Sequence, residues 1–147
     1  MATGRAAYPD LLSGPSSPSN PGGPYPYVAP SAIPLSTRPA SDPIPRALVD
    51  AEIEEHIKLF HTAAKNSIYG AGFDGVEIDA AHGYIIDQFL QDTSNKREDK
   101  WGGSIEGRTR FALEVTKAVV DAVGEERTGV RLSPWASHQG MLSSRFR

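Results

Sequence analysis

Between Pro45 and Pro134 long amphipathic stretches alternate with short apolar ones, and this alternation restricts the fold more than any other feature of the chain. Ile53, Ile57, Phe60, Ala64 and Ile68 share one helical face, with Asp50 expected as N-cap, Glu52 and Glu54 in the first turn, and Gly70 and Gly72 as the stop. Gly75 to Ile78 is too short for a helix and reads as a buried parallel strand. Ile85 to Leu90 reads as a short helix or turn. Ser104 then caps a helix expected from Ile105 to Val123, with Phe111, Ala112, Val115, Ala118, Val119 and Ala122 facing inward and Gly124 closing it. Thr128 to Pro134 returns to an extended run, expected to be buried, that Pro134 ends. Helix, strand, helix, strand implies consecutive parallel β/α units with right-handed crossovers. A closed barrel of this kind needs eight strands in about 250 residues. The 147 residues here therefore predict a piece of a larger fold, with apolar sheet edges left open and a tendency to instability, aggregation or dependence on a partner.

The N-terminal third has a different character. Residues 8–46 hold most of the twelve prolines, with many serines and glycines, so residues 1–46 are expected as an extended, partly ordered segment that propagates neither a helix nor a central strand. Tyr25, Tyr27, Val28, Ile33 and Leu35 are candidates to pin it to a surface. No apolar run is long enough to span a bilayer, and the N-terminus lacks a basic-then-apolar signal pattern, so a cytoplasmic protein is expected. With no cysteine there is no disulfide, thiolate metal site or cysteine nucleophile. A net charge of -3 with no basic stripe gives no reason to expect a nucleic-acid partner.

Candidate chemistry gathers after the first strand. Asp79, His82 and Tyr84 lie within six residues, at the strand end where β/α folds place their sites. Spacing alone leaves two readings open, an active site and a solvated loop. Arg131 interrupts Val130 and Leu132; alternation puts it with Gly129 and Ser133 on the opposite face, aimed at an anion, an electron-rich ligand or a salt-bridge partner. Glu77, inside the strand, reads as a structural hydrogen-bonding or ion-pairing residue. Arg108 and Arg110 stand at the start of a helix, where the dipole disfavours cations, and so are expected to have carboxylate partners. Ser94 to Lys100 reads as a charged loop. Gly70-Ala71-Gly72-Phe73-Asp74-Gly75 matches a dinucleotide fingerprint in letters, but its helix precedes and its strand follows, the reverse of what phosphate binding needs. His56 and His61 are five residues apart and do not stack as a metal pair, so no metal site is expected.

Together Gly72 to Ile78, Ala81-His82-Gly83-Tyr84, Asp87-Gln88-Phe89-Leu90, Asn95-Lys96-Arg97, Gly102 to Glu106, Arg108, Arg110-Phe111 and Val130 to Trp135 resemble the old yellow enzyme family of FMN-dependent NAD(P)H oxidoreductases. The likeness runs from about Ala47 to Met141 and is greatest to a fungal branch that includes ergot-alkaloid aldehyde reductases. Gly4 to Leu12 and Tyr27 to Leu35 are similar to the family's segment after its third strand, whereas residues 142–147 diverge as a tail.

The resemblance implies a partial (β/α)8 TIM barrel, about three of eight β/α units. It also implies FMN as cofactor, NAD(P)H as reductant, and an enone or enal as the small-molecule substrate. By the same resemblance Tyr84 is the proton donor to the α-carbon. Asp79 and His82 stand where a His-x-x-Asn or His-x-x-His pair binds the substrate oxygen, and Arg131 meets the flavin's pyrimidine edge. Asp79 departs from that pattern, because an ionised carboxylate accepts hydrogen bonds and repels a forming enolate; only its protonated form, favoured by burial, could donate. The likeness starts after the family's first flavin-binding strands and stops before those that hold the FMN phosphate. The reading is thus a truncated, inactive relative, with a fragment of an active ene reductase and a non-catalytic interaction module as the alternatives.

Overall fold

In the computed structural model, residues 4–14 and 24–141 are described. The proline-rich stretch 15–23 and the divergent tail 142–147 lie outside them. A single 3-10 turn at Gly4–Ala6 leads into helix α1, Pro9–Ser13. Strand β1 is Val28–Ala29 and strand β2 is Arg46–Ala47. Helix α2, Asp50–Lys65, continues through a wide turn at Asn66–Gly70 into strand β3, Val76–Ala80. Helix α3 is Ile85–Leu90, helix α4 is Ile105–Val123, and strand β4 is Thr128–Leu132.

Among the described residues two parallel pairs form the sheet structure. β1 pairs with β2, and β3 with β4 in a register that sets Glu77 beside Gly129, Ile78 beside Val130 and Asp79 beside Arg131. The connection from β3 to β4 through α3 and α4 is the crossover the alternation predicted. The N-terminal segment holds more regular structure than its prolines suggested. Pro9 sits at the first turn of α1, where a missing N–H costs nothing, and β1 is short enough to lie between prolines.

The core is built by the faces the periodicity identified. Ile53 and Ala64 of α2 and Ile68 of the wide turn after it join Phe111, Val115 and Val119 of α4, Ile86 and Phe89 of α3, and Ile78 and Ala80 of β3 in one buried cluster. Phe111 is fully buried, 4.4 Å centroid to centroid from Phe89 and 6.5 Å from both Phe60 and Trp101. Burying such a side chain stabilises by roughly 1.5–3 kcal/mol.

Several local expectations are corrected. Val49, not Asp50, occupies the N-cap of α2. The Asp50 carboxylate instead accepts from the Trp101 indole and pairs with Lys100, while Glu52 reaches back to the Val49 N–H at 2.9 Å. Strand β3 runs two residues past Ile78, because the ladder with β4 continues to Ala80 and Ala80 is buried. β4 is not buried: Val130 is 44% and Leu132 62% exposed, since β3 is its sole paired neighbour among the described residues. Arg108 and Arg110 donate to main-chain carbonyls, at Leu90 and Gly103 for Arg108 and at Lys100 for Arg110, rather than to carboxylates.

The loop from Ser94 to Lys100 is an anchored turn instead of a solvated charge run. Ser94 and Asn95 are buried, and the Asn95 amide donates to the carbonyls of Phe89 and Trp101, both at 2.8 Å. Arg97 donates from one terminal nitrogen to Pro30 O and Leu48 O, just past β1 and β2. One guanidinium thus ties the small β1–β2 sheet to the approach to α4. Among the described residues no helix is long and apolar enough to cross a membrane.

Candidate active site

Side chains alternate across a strand, so one face of the β3–β4 pair carries Ile78 and Ala80 toward the helices and the other carries Glu77, Asp79 and Arg131. Arg131 Nε donates to Glu77 Oε1 at 2.7 Å, and each side chain is about half-exposed. That pair, with the Asp79 charge beside it, raises the guanidinium pKa, the Glu77 hydrogen bond being the larger cause. An exposed pair of this kind adds little to stability, because water and salt screen it. Its effect is mainly on orientation, because Nε is engaged while the terminal nitrogens have no hydrogen-bond partner among the described residues. The salt-bridge reading of Arg131 is thus met by Glu77, on one edge of the guanidinium.

Asp79 is not beyond the strand, as its place after Ile78 suggested, but within it, directly beside Arg131. Its Oδ1 accepts the Ala81 N–H at 3.2 Å and lies 3.6 Å from His82 Nδ1, with both side chains nearly half-exposed. His82 and Gly83 then take left-handed backbone conformations, φ 57° and 78°, which turn the chain sharply off the strand. The His82 N–H donates to Ser133 Oγ at 2.8 Å, so the residue after β4 holds the turn after β3. Tyr84, half-buried, is the N-cap of α3, and its N–H donates to Ala81 O at 3.2 Å. Asp79, His82 and Arg131 thus share one wall. Tyr84 follows two residues after His82, and its phenol makes no hydrogen bond to the other three among the described residues.

Three further residues shape the site and are not evident from spacing. Asp87 and Gln88 are 2% and 0% exposed, and they contact Gly83 from within α3. Arg5 is 4% exposed, donates its N–H to Gln88 Oε1 at 3.1 Å, and reaches Gln139 O and Met141 Sδ. Burial pulls its pKa down. The available signal was an acid and an amide set in an apolar helix, Ile85-Ile86-Asp87-Gln88-Phe89-Leu90, where polar side chains must find partners.

The donors of Arg131 suit an electron-rich ring edge, so the one flavin contact expected here fits the residue present. The wall as a whole is less suited to an anion, since two carboxylates face one guanidinium. No group of three or more metal-ligating side chains is gathered among the described residues.

Parallel β/α units with polar side chains at the strand ends are the arrangement of a (β/α)8 barrel, of which the described residues form a portion. The chain overlays the old yellow enzyme of Pichia sp. AKU4542 with a TM-score of 0.86 and 44% identity, over 96% of this chain and 36% of that one. Residues 2–144 match the NADH:flavin oxidoreductase / NADH oxidase family, and the chain belongs to that family. It is 53% identical over 140 residues to the chanoclavine-I aldehyde reductase fgaOx3 of Penicillium roqueforti, over 95% of this chain and 35% of that protein. It is 58% identical over 100 residues to the probable inactive dehydrogenase easA of Claviceps purpurea, over 68% of this chain and 26% of that protein. The chain spans about a third or less of the length of these curated relatives.

Proposed function

We propose that this chain carries, in an impaired form, the substrate-facing wall of an FMN-dependent NAD(P)H reductase of activated alkenes. When bound, FMN would relay hydride from NAD(P)H to the β-carbon of an enone or enal. Three of the chain's own residues have tasks in that reading, and a fourth works against them. His82 donates a hydrogen bond to the substrate carbonyl oxygen, Tyr84 gives a proton to the α-carbon, and Arg131 presents its free donors to the flavin's pyrimidine edge. Asp79 faces the same oxygen as His82 and, ionised, opposes the negative charge that His82 favours.

The carrying observation is the position of Asp79 on the ligand side of β3, 3.6 Å from His82 Nδ1 and in register with Arg131. Similarity both to an aldehyde reductase and to a probable inactive dehydrogenase supports an aldehyde-type substrate class and a weakened reaction. The isolated 147 residues are proposed not to hold FMN by themselves, because Arg131 is the one flavin contact placed among them.

Flavin retention tests this reading. The purified 147-residue chain should elute from gel filtration without a stoichiometric flavin band. A chimera in which residues 47–141 replace the matching segment of the Pichia enzyme should bind FMN and lose affinity on Arg131→Ala. One FMN per isolated chain would contradict the first expectation, and an Arg131→Ala chimera with unchanged FMN affinity would contradict the second.

A further inference from the structure

We propose that Asp87 and Gln88 are positioning residues, which grip both main-chain polar groups of Gly83 and thereby set where His82 and Tyr84 point. The inference rests on reading His82 and Tyr84 as ligand-facing, and it concerns what holds them there. Two consecutive left-handed residues, one of them not glycine, form a conformation that persists only where the surroundings fix it. Here they do. The Gly83 N–H donates to Asp87 Oδ2 at 2.9 Å, and Gly83 O accepts from Gln88 Nε2 at 2.7 Å. Because the peptide planes on both sides of Gly83 are held, the exit angles of its two neighbours are held as well.

The grip is itself braced from outside α3. Asp87 Oδ1 accepts from Gln91 Nε2 at 3.2 Å, and Gln88 Oε1 accepts the Arg5 N–H at 3.1 Å. Gly4 makes room for that last contact, since a Cβ there would lie 2.2 Å from Gln88 Oε1. On the other side Gly83 packs so closely on Gln139 and Met141 that a Cβ would come within 2.9 Å of both side chains. The segments 4–6 and 138–141 therefore press the turn onto α3. Placing an acid and an amide in the fully buried part of a six-residue helix is costly unless both are used, and here every polar atom of the two side chains has a partner.

The test uses the isotopically labelled 147-residue chain without flavin or substrate. Its outcome is therefore separate from that of the reductase reading, which is judged on the chimera. Asp87→Asn keeps an oxygen acceptor for the Gly83 N–H, whereas Asp87→Ala removes it. In the Asn variant the Gly83 amide exchange rate and the ring resonances of His82 and Tyr84 should match the parent. In the Ala variant Gly83 exchange should quicken at least tenfold and both rings should shift, while the ring of Phe111 stays unchanged. If Asp87→Ala does not fold, Gln88→Met, which removes the donor to Gly83 O, should move the same two rings. Unmoved His82 and Tyr84 signals in the folded variants would overturn the proposal. So would shifts that spread equally to Phe111, which mark a role in stability alone.

Discussion

Replacing Gly107 by alanine separates helix propensity from packing. Gly107 lies in the first turn of α4, where propensity alone gives alanine an advantage of about 1 kcal/mol. A Cβ at this position, however, would sit 2.0 Å from Gly102 O and 3.0 Å from Gly102 C. The turn must retreat by more than an ångström before that contact becomes ordinary. It is not free to do so, because Trp101 O is held by Asn95, Gly103 O by Arg108, and the Gly107 N–H by the Ser104 cap. Overpacking costs about 1–3 kcal/mol, a lost cap about 1, and a charged hydrogen bond about 1.5–3. Loss of only some of these, offset by propensity, leaves a net destabilisation of about 2–4 kcal/mol. Urea unfolding followed by circular dichroism at 222 nm should show the midpoint falling by about 1 M or more. Gly70→Ala, where a Cβ meets nothing within 4 Å, should leave the midpoint unchanged or slightly raised. A Gly107→Ala midpoint at or above the parent's would refute the packing argument.

Two other predictions concern charge. Arg97→Lys cannot reproduce the contacts to Pro30 O, Leu48 O and Asp99, and should destabilise by about 1–3 kcal/mol. Amide exchange at Leu48, whose N–H bonds Ala29 O, should quicken first, and unchanged protection there would remove Arg97 as the tie between sheet and loop. Burial raises the Asp87 pKa above its ordinary 3.8, so the native state holds this proton to higher pH than the unfolded chain does. Its contribution to stability therefore declines as pH rises from about 4 through the native value. Asp87→Asn lacks that dependence, so it should gain on the parent between pH 4 and 7 in urea titrations; a constant difference would contradict the burial argument.

What could be read from the sequence follows from which interactions are periodic. α4 and the inner face of α2 were legible because burial repeats along a helix, as Phe111, Val115 and Val119 show. The pairing of Glu77 with Arg131 was half-legible: alternation gave the face of each, but nothing local gave the register that joins them. The end of β3 is hard to read because the Asp79 carboxylate resembles a loop residue, although Val76-Glu77-Ile78-Asp79-Ala80 alternates throughout. The small β1–β2 sheet and the anchored turn at Asn95 left no pattern, since main-chain carbonyls that carry no sequence signature hold them. Arg108 and Arg110 found such carbonyls too, where charge logic had pointed to acids. The grip on Gly83 depends on Gly4 and Arg5, more than eighty residues from Gln88, a separation that no local rule spans.

Asp79 is the residue on which the functional account turns, and the direct measurement is enone reduction by the chimera that carries residues 47–141, with and without Asp79→His. Restoring a donor opposite His82 should raise the rate roughly 100- to 1,000-fold, the usual worth of one such hydrogen bond, with FMN content unchanged. Equal rates in the two chimeras would contradict the claim that the Asp79 carboxylate weakens the inherited reaction.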